Sequence, residues 1–566
     1  MLQINTGKLF ARGVGRTNRL RGVLYSNLYL RDEPIVTAAG TLLGTNSLRE
    51  NLALIYELDE RIEEEPVGPG VLVSHGIEPF LVDFSAVASF GFDAVVSPEA
   101  ALVDRLLSAK PSLASYAPPR DFLKRTFKDQ IWLTPEDSAK FVSLVRDLLA
   151  LDRRRFLAAM RAIRTYVAGV HRLLDDLGVA YTLMVSAIES LAQDFDGYQS
   201  GWDDVDERKR KPVDVALSRA SARTGQRVRE AILSAEHVLL SRRYRAFVTA
   251  HLDKSYFRNF SIEDGTPVAA YELDEALRQA YALRSRYLHN LRVLPDSLTH
   301  PFGHWEVTYV DRKAVLTFQG LARLTRTVIK EFIARGQKVE FEEYNYRHEQ
   351  AGIRLMEMAS QYWVGKPLQR ADHAKIRLEG LLSQLVGVMS NDKDAQLTDL
   401  RPMLSDVERM MAKASARNKP AMFALYVLFN LVVSSDLRMP GFDAFVEKHH
   451  TAFDAPSIEG LVALTFLDKV GEWPLEAHRQ QIDQYFEVRA TPKGLHAPRT
   501  VDAAMCLALA ERYREAREYD QMRAMVSNAV ESLPGNAALL ELERAFREDA
   551  PITWRTVLFP PPPPSS

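Results

Sequence analysis

Within the run YALRSRYLHNL, residues 281–291, a guanidinium and an imidazole stand five positions apart, at Arg284 and His289. A guanidinium presents a planar fork of donors that suits an anion, and an imidazole can carry a proton near neutrality. The spacing raises a question about each. At ~100° per residue of α-helix, Leu273, Leu277, Ala280, Leu288 and Leu291 share a sector of roughly 80°, and Arg284 falls in its middle. A permanent cation on an apolar stripe costs several kcal/mol if unpaired, so Arg284 needs either a buried carboxylate or a ligand. Glu189, in VSAIESL at 185–191, is the candidate mate. The same arithmetic turns His289 roughly 140° away from Arg284. By itself His289 reads as a residue near a helix C-terminus, where a cation favours the dipole.

Other chemistry-bearing residues are less constrained. ERKRK at 207–211 contributes Arg208, Lys209, Arg210 and Lys211, and with Arg219, Arg223, Arg227 and Lys254 it forms a candidate local basic patch for RNA. A solvated charged loop is the plainer account of it. DDVDE at 203–207 spaces carboxylates as a loop metal site does, without a scaffold to hold them. His75 and the His449/His450 pair have no partner apparent in the sequence. GVGRTNR at 13–19 lacks the Lys-Ser/Thr ending of a phosphate loop, and neither HExxH nor GxSxG occurs. No metal and no cofactor is implied.

Composition bounds the rest. With 72 basic against 74 acidic residues the formal charge is −2, so no global field holds a polyanion and any nucleic-acid contact must be local. A single cysteine, Cys506, excludes an intramolecular disulfide and fits a reducing compartment. No apolar run approaches a membrane span and the N-terminus lacks a signal-peptide core, so the expectation is a cytoplasmic protein with no membrane contact.

The elements that must position Arg284 and His289 follow from texture. Residues 1–120 hold short β-branched runs between breakers, GVLYSNLYL, PIVTAAGTLL, GVLVSHG, PFLVDFSAV and FDAVVSP, which predict a β-rich module of unknown role. From 121 to 344 the pattern is helical, with Met184, Ile188, Leu191 and Phe195 on one core-facing stripe and one hairpin, FGHWEVTYVDRKAVLTF, turning at Asp311 and Arg312. GLARLTRTVIKEFIARG closes this segment. Residues 345–556 predict an α-solenoid, and 557–566 a Pro-rich solvated tail. The fold class expected is mainly α: a β-containing N-terminal module, a central antiparallel helical bundle with an inserted hairpin, and a C-terminal α-solenoid.

Two resemblances sharpen this. ALRSRYLHN, with the helix VSAIESL and the closing helix FQGLARLTRTVIKEFI, resembles the HEPN family, especially its Apea-like branch, over about 180 residues. LALAERYREAREYDQMRAMVSNAVESLPGNAAL resembles a tetratricopeptide repeat, with Leu509, Ala510, Tyr513, Tyr519, Ala529 and Pro534 at the positions of that pattern and Met522 departing from it. The HEPN resemblance implies a metal-independent endoribonuclease that cleaves RNA through its 2′-OH, with His289 carrying the proton and Arg284 clamping the phosphate. Arg286, Asn290 and Glu189 would support them. Asn290 stands where the family more often has glycine.

Such chemistry needs both groups at one phosphate, so either the helix unwinds over 287–290 or two protomers share the site. The family favours the second, a homodimer through the HEPN-like domain. A regulated toxin or anti-phage defence effector is the context the resemblance suggests. The alternative is a non-catalytic dimeric scaffold whose C-terminal solenoid recruits a protein partner.

Overall fold

The structure, a computed structural model, describes residues 1–30, 33–45, 52–64, 74–108, 110–111, 117–193, 201–202, 207–235, 240–258, 266–300, 305–349 and 356–560. They divide into two compact units, Met1–Leu355 and Met356–Ser566. The chain is mainly helical, with an antiparallel sheet near its N-terminus.

Five strands come first: β1 (Val14–Ser26), β2 (Leu28–Tyr29), β3 (Ile35–Thr37), β4 (Gly40–Leu43) and β5 (Leu52–Glu63). β1 and β5 pair antiparallel from Val14 opposite Glu63 to Ser26 opposite Leu52. With β6 (Val96–Ser97) the sheet order is β3-β4-β5-β1-β6. Alternation places Leu24, Leu54, Tyr56 and Leu58 in the core, while the charged residues of the long pair meet across strands, Arg19 bonding Glu57 at 2.6 Å and Asp59 at 3.1 Å.

PFLVDFSAV, expected as a strand, is instead the first half of a helix, α1 (Glu78–Phe92). Its apolar residues Phe80, Leu81, Phe84, Val87 and Ala88 are spaced for a helix, but nearly all faces are buried, so no polar alternation marks the period. The Phe84 ring stacks on Tyr56 of the sheet at 4.2 Å. A side chain at Gly22 of β1 would collide with Leu81, which lets the helix lie close on the sheet. Of GVLVSHG, residues 70–73 lie outside the described residues, as do Phe195 of the expected stripe, 203–206 of DDVDE, 302–304 of the hairpin segment and 561–566 of the tail.

Helices follow: α2 (Ala100–Leu107), α3 (Pro119–Phe122), α4 (Pro135–Ala150), α5 (Arg153–Arg172), α6 (Leu177–Ala192), α7 (Glu207–Leu217), α8 (Ala222–Ala235), α9 (Leu240–Ala250), α10 (Leu273–Asn290), α11 (Asp296–Thr299) and α12 (Phe318–Arg335), with β7 (Ile131–Trp132) pairing in parallel with β2. Their starts are capped by side chains that accept from orphan backbone donors: Thr134 and Asp137 form a capping box on α4, and Asp152, Asp176 and Thr317 cap α5, α6 and α12. α6 packs on α5, α10 and α12. The expected hairpin is present as β8 (Val307–Val310) and β9 (Lys313–Leu316), joined by Asp311 and Arg312 at φ 48° and 61°, the positive pair a type I′ turn requires. Sheet and helices share one hydrophobic core from Leu2 to Ile333, so the segments before and after residue 120 are packed together.

The described part of the second unit contains only helices and short turns: α13 (Ala374–Met389), α14 (Arg401–Met411), α15 (Lys419–Val432), α16 (Phe442–His449), α17 (Ile458–Phe466), α18 (Leu475–Arg489), α19 (Arg499–Glu515), α20 (Tyr519–Ser532), α21 (Ala537–Arg544) and α22 (Trp554–Leu558). The repeat-like segment is the α19–α20 pair, with Leu509, Ala510, Tyr513, Met522 and Ala529 buried, while Pro534 is exposed after α20. Among the described residues no helix is long and apolar enough to cross a membrane.

Candidate functional site

α10 carries Asp274 and Glu275 in its first turn, where acids favour the helix dipole, and buries Leu273, Ala276, Leu277, Ala280 and Leu283. Beyond Leu283 the apolar stripe leaves the core: Leu288 is 47% exposed and Leu291 76%. Arg284 stands at that transition. Its Nη2 lies 2.6 Å from Glu189 Oε2 on α6, and the Tyr281 hydroxyl donates to Glu189 Oε1 at 3.0 Å. The guanidinium also lies over the Tyr281 ring, 5.6 Å from its centre. Glu189 is buried, so its charge needs both donors. Burial and the Glu189 charge push the Tyr281 phenol above its ordinary range, which keeps it a donor. Tyr244, buried beneath with its ring 5.7 Å from that of Tyr281, completes an aromatic floor. The pairing leaves the Arg284 Nε–H without an acceptor.

The remaining residues sit on the other side. α10 is regular through Asn290, so the unwinding alternative is contradicted: the Leu291 N–H closes onto Tyr287 O at 2.9 Å. His289 is exposed and lies roughly 140° around the helix from Arg284. Within one chain the two do not converge. Arg286 is exposed, its Nε donating to Ala282 O at 3.2 Å, and Asn290 is exposed in helical geometry. The left-handed turn residue is Leu291, at φ 49°, one position later than a glycine-like Asn290 would suggest. What fixes this end of α10 is Tyr287, whose hydroxyl donates to the α6 cap Asp176 at 3.0 Å and whose ring lies on Gly178, where a Cβ would come within 2.2 Å. Neither contact was signalled by the motif.

Of the basic run, Arg208 to Lys211 open α7; the side chains of Arg208 and Lys209 lie outside the described residues. Arg219, Arg223, Arg227 and Lys254 are exposed. Among the described residues no group of three or more His, Cys, Asp or Glu side chains is placed to hold a metal ion. His75 does have a partner, the buried Glu60, 3.1 Å from its Nδ1.

Comparison of the chain with known protein families, with curated proteins and with solved structures finds no match.

Proposed function

We propose that the protein is a metal-independent endoribonuclease of the HEPN type, working as a homodimer whose active site is shared between two copies. The observation that carries this reading is the solvent-facing end of α10. There His289 is surrounded in sequence by the exposed apolar residues Leu288, Leu291 and Val293, the last 88% exposed, and by the exposed Arg286 and Arg292. Apolar surface of this kind beside a titratable group suits a self-complementary contact. Pairing across it brings His289 of one copy toward Arg284 of the other, which one chain cannot do alone.

At a phosphodiester bound there, His289 takes the 2′-OH proton as O2′ attacks phosphorus, and the proton passes on to the departing 5′-oxygen. Arg284, aimed by Glu189 and Tyr281, holds a non-bridging oxygen as charge gathers on it. The products carry 2′,3′-cyclic phosphate and 5′-hydroxyl ends. Purified protein in EDTA should cut RNA to such ends, and His289→Ala should abolish it; intact RNA at concentrations where the dimer forms contradicts the reading.

A second reading has its own support. The Arg284–Glu189 pair closes within one chain, as it would in a non-catalytic dimeric scaffold whose TPR-like helices recruit a protein partner. Under either reading the protein is cytoplasmic, and a regulated toxin or defence effector is the context proposed for the nuclease.

A further inference from the structure

The second unit contains a cleft of about 570 Å³ bordered by the starts of α15 and α17 and by α18. That volume is in the range of small-molecule sites. Arg417 and Lys419 line it, and among the described residues neither is paired with a carboxylate. Its one acidic lining residue, Glu459, is held by Lys375 at 3.4 Å. The cleft therefore has a net positive charge before any helix is considered. Two helix starts add to it: α15, whose first turn receives no side-chain cap from Asn418, and α17, capped by Ser457.

We infer that this cleft binds a small organic phosphate, with Arg417 and Lys419 on the phosphate. A phosphomonoester carries close to two negative charges at neutral pH, which matches two unpaired cations better than a monocarboxylate does. The rest of the cleft suits a flat, partly polar body. Met411, Pro420, Pro456 and Ile458 give apolar walls, and Gln481 and Gln484 on α18 can both donate and accept. His449 lines the same space and offers a further hydrogen-bonding group; burial and the charges of Lys448 and Lys419 lower its pKa. The inference is independent of the ribonuclease reading, because every lining residue belongs to the second unit.

Calorimetric titration of the full chain at low salt tests it with four probes: orthophosphate, AMP, adenosine and succinate. AMP should bind saturably, with adenosine and succinate at least about tenfold weaker. The double variant Arg417→Ala/Lys419→Ala should weaken AMP by about tenfold or more with an unchanged melting temperature, and Arg417→Glu, an exposed position, should do the same alone. AMP binding unchanged in these variants, adenosine or succinate equal to AMP, or no saturable binding of phosphate or AMP up to millimolar concentration would each overturn the assignment.

Discussion

Glu189 accepts from Tyr281 and pairs with Arg284 while almost wholly buried, so the three side chains form one unit rather than a guanidinium with a spare partner. Removing one ion of such a pair strands the other. Arg284→Ala should cost about 3 kcal/mol in denaturant unfolding, whereas Arg284→Met combined with Glu189→Leu should recover most of that loss. A cost near zero for Arg284→Ala would mean that the pair contributes nothing. At Gly178 the added methyl of Gly178→Ala would strike the Tyr287 ring, and a loss of about 1–3 kcal/mol is expected with the end of α10 displaced; exchange of the α10 backbone amides reports it. His478 gives a pH-dependent case in the second unit. Its Nδ1 is paired with Arg512 at 3.1 Å, its Nε2 has no partner, and burial first, then the Arg512 charge, depresses its pKa to about 3. The unfolded chain binds this proton from about pH 6.5 downward, so the contribution of a neutral His478 is complete above 6.5 and is lost as pH falls from 6.5 toward 3. His478→Gln, which retains an acceptor, should flatten stability over that window, and an unchanged pH profile would contradict it.

At the scale of elements, α10 shows what the sequence made legible. The buried part of its stripe, Leu273, Leu277 and Ala280, and the Glu189 mate follow from helical spacing and the cost of a buried cation, whereas Leu288 and Leu291, expected on the same stripe, are exposed; the Asp311–Arg312 turn follows from alternation on either side of it. α1 was not legible because burial on nearly every face erases the polar half of the pattern. The C-terminal cleft was not legible either, since α14 to α18 bring residues 411–484 together only in three dimensions. Nor did the motif show that the strain at the end of α10 rests on a leucine. Leu291 holds a left-handed conformation that costs a branched residue about 1 kcal/mol, and being 76% exposed it regains little by burial. Leu291→Gly should therefore raise the monomer's melting temperature while weakening self-association, as read by thermal melts and by sedimentation at graded concentrations. A variant that melts lower would contradict the strain at Leu291, and one that associates as the parent does would remove Leu291 from the proposed contact.

At the scale of the whole molecule, the first unit joins sheet and helices in one core, and the second is all-helical among the described residues. The proposed chemistry belongs to the first unit and requires a second copy, because a straight α10 holds Arg284 and His289 apart. In this proposal the dimer is thus part of the site itself. Complementation tests that directly: chains carrying His289→Ala and chains carrying Arg284→Gln, each silent alone, are co-expressed and assayed on RNA in EDTA. Half of the dimers formed at random are mixed, and each has one intact and one doubly altered site, so about a quarter of the wild-type activity should return. Wild-type cleavage with a silent mixture of the two variants, shown by co-purification of differently tagged chains to have formed mixed dimers, would contradict a site shared across the twofold contact.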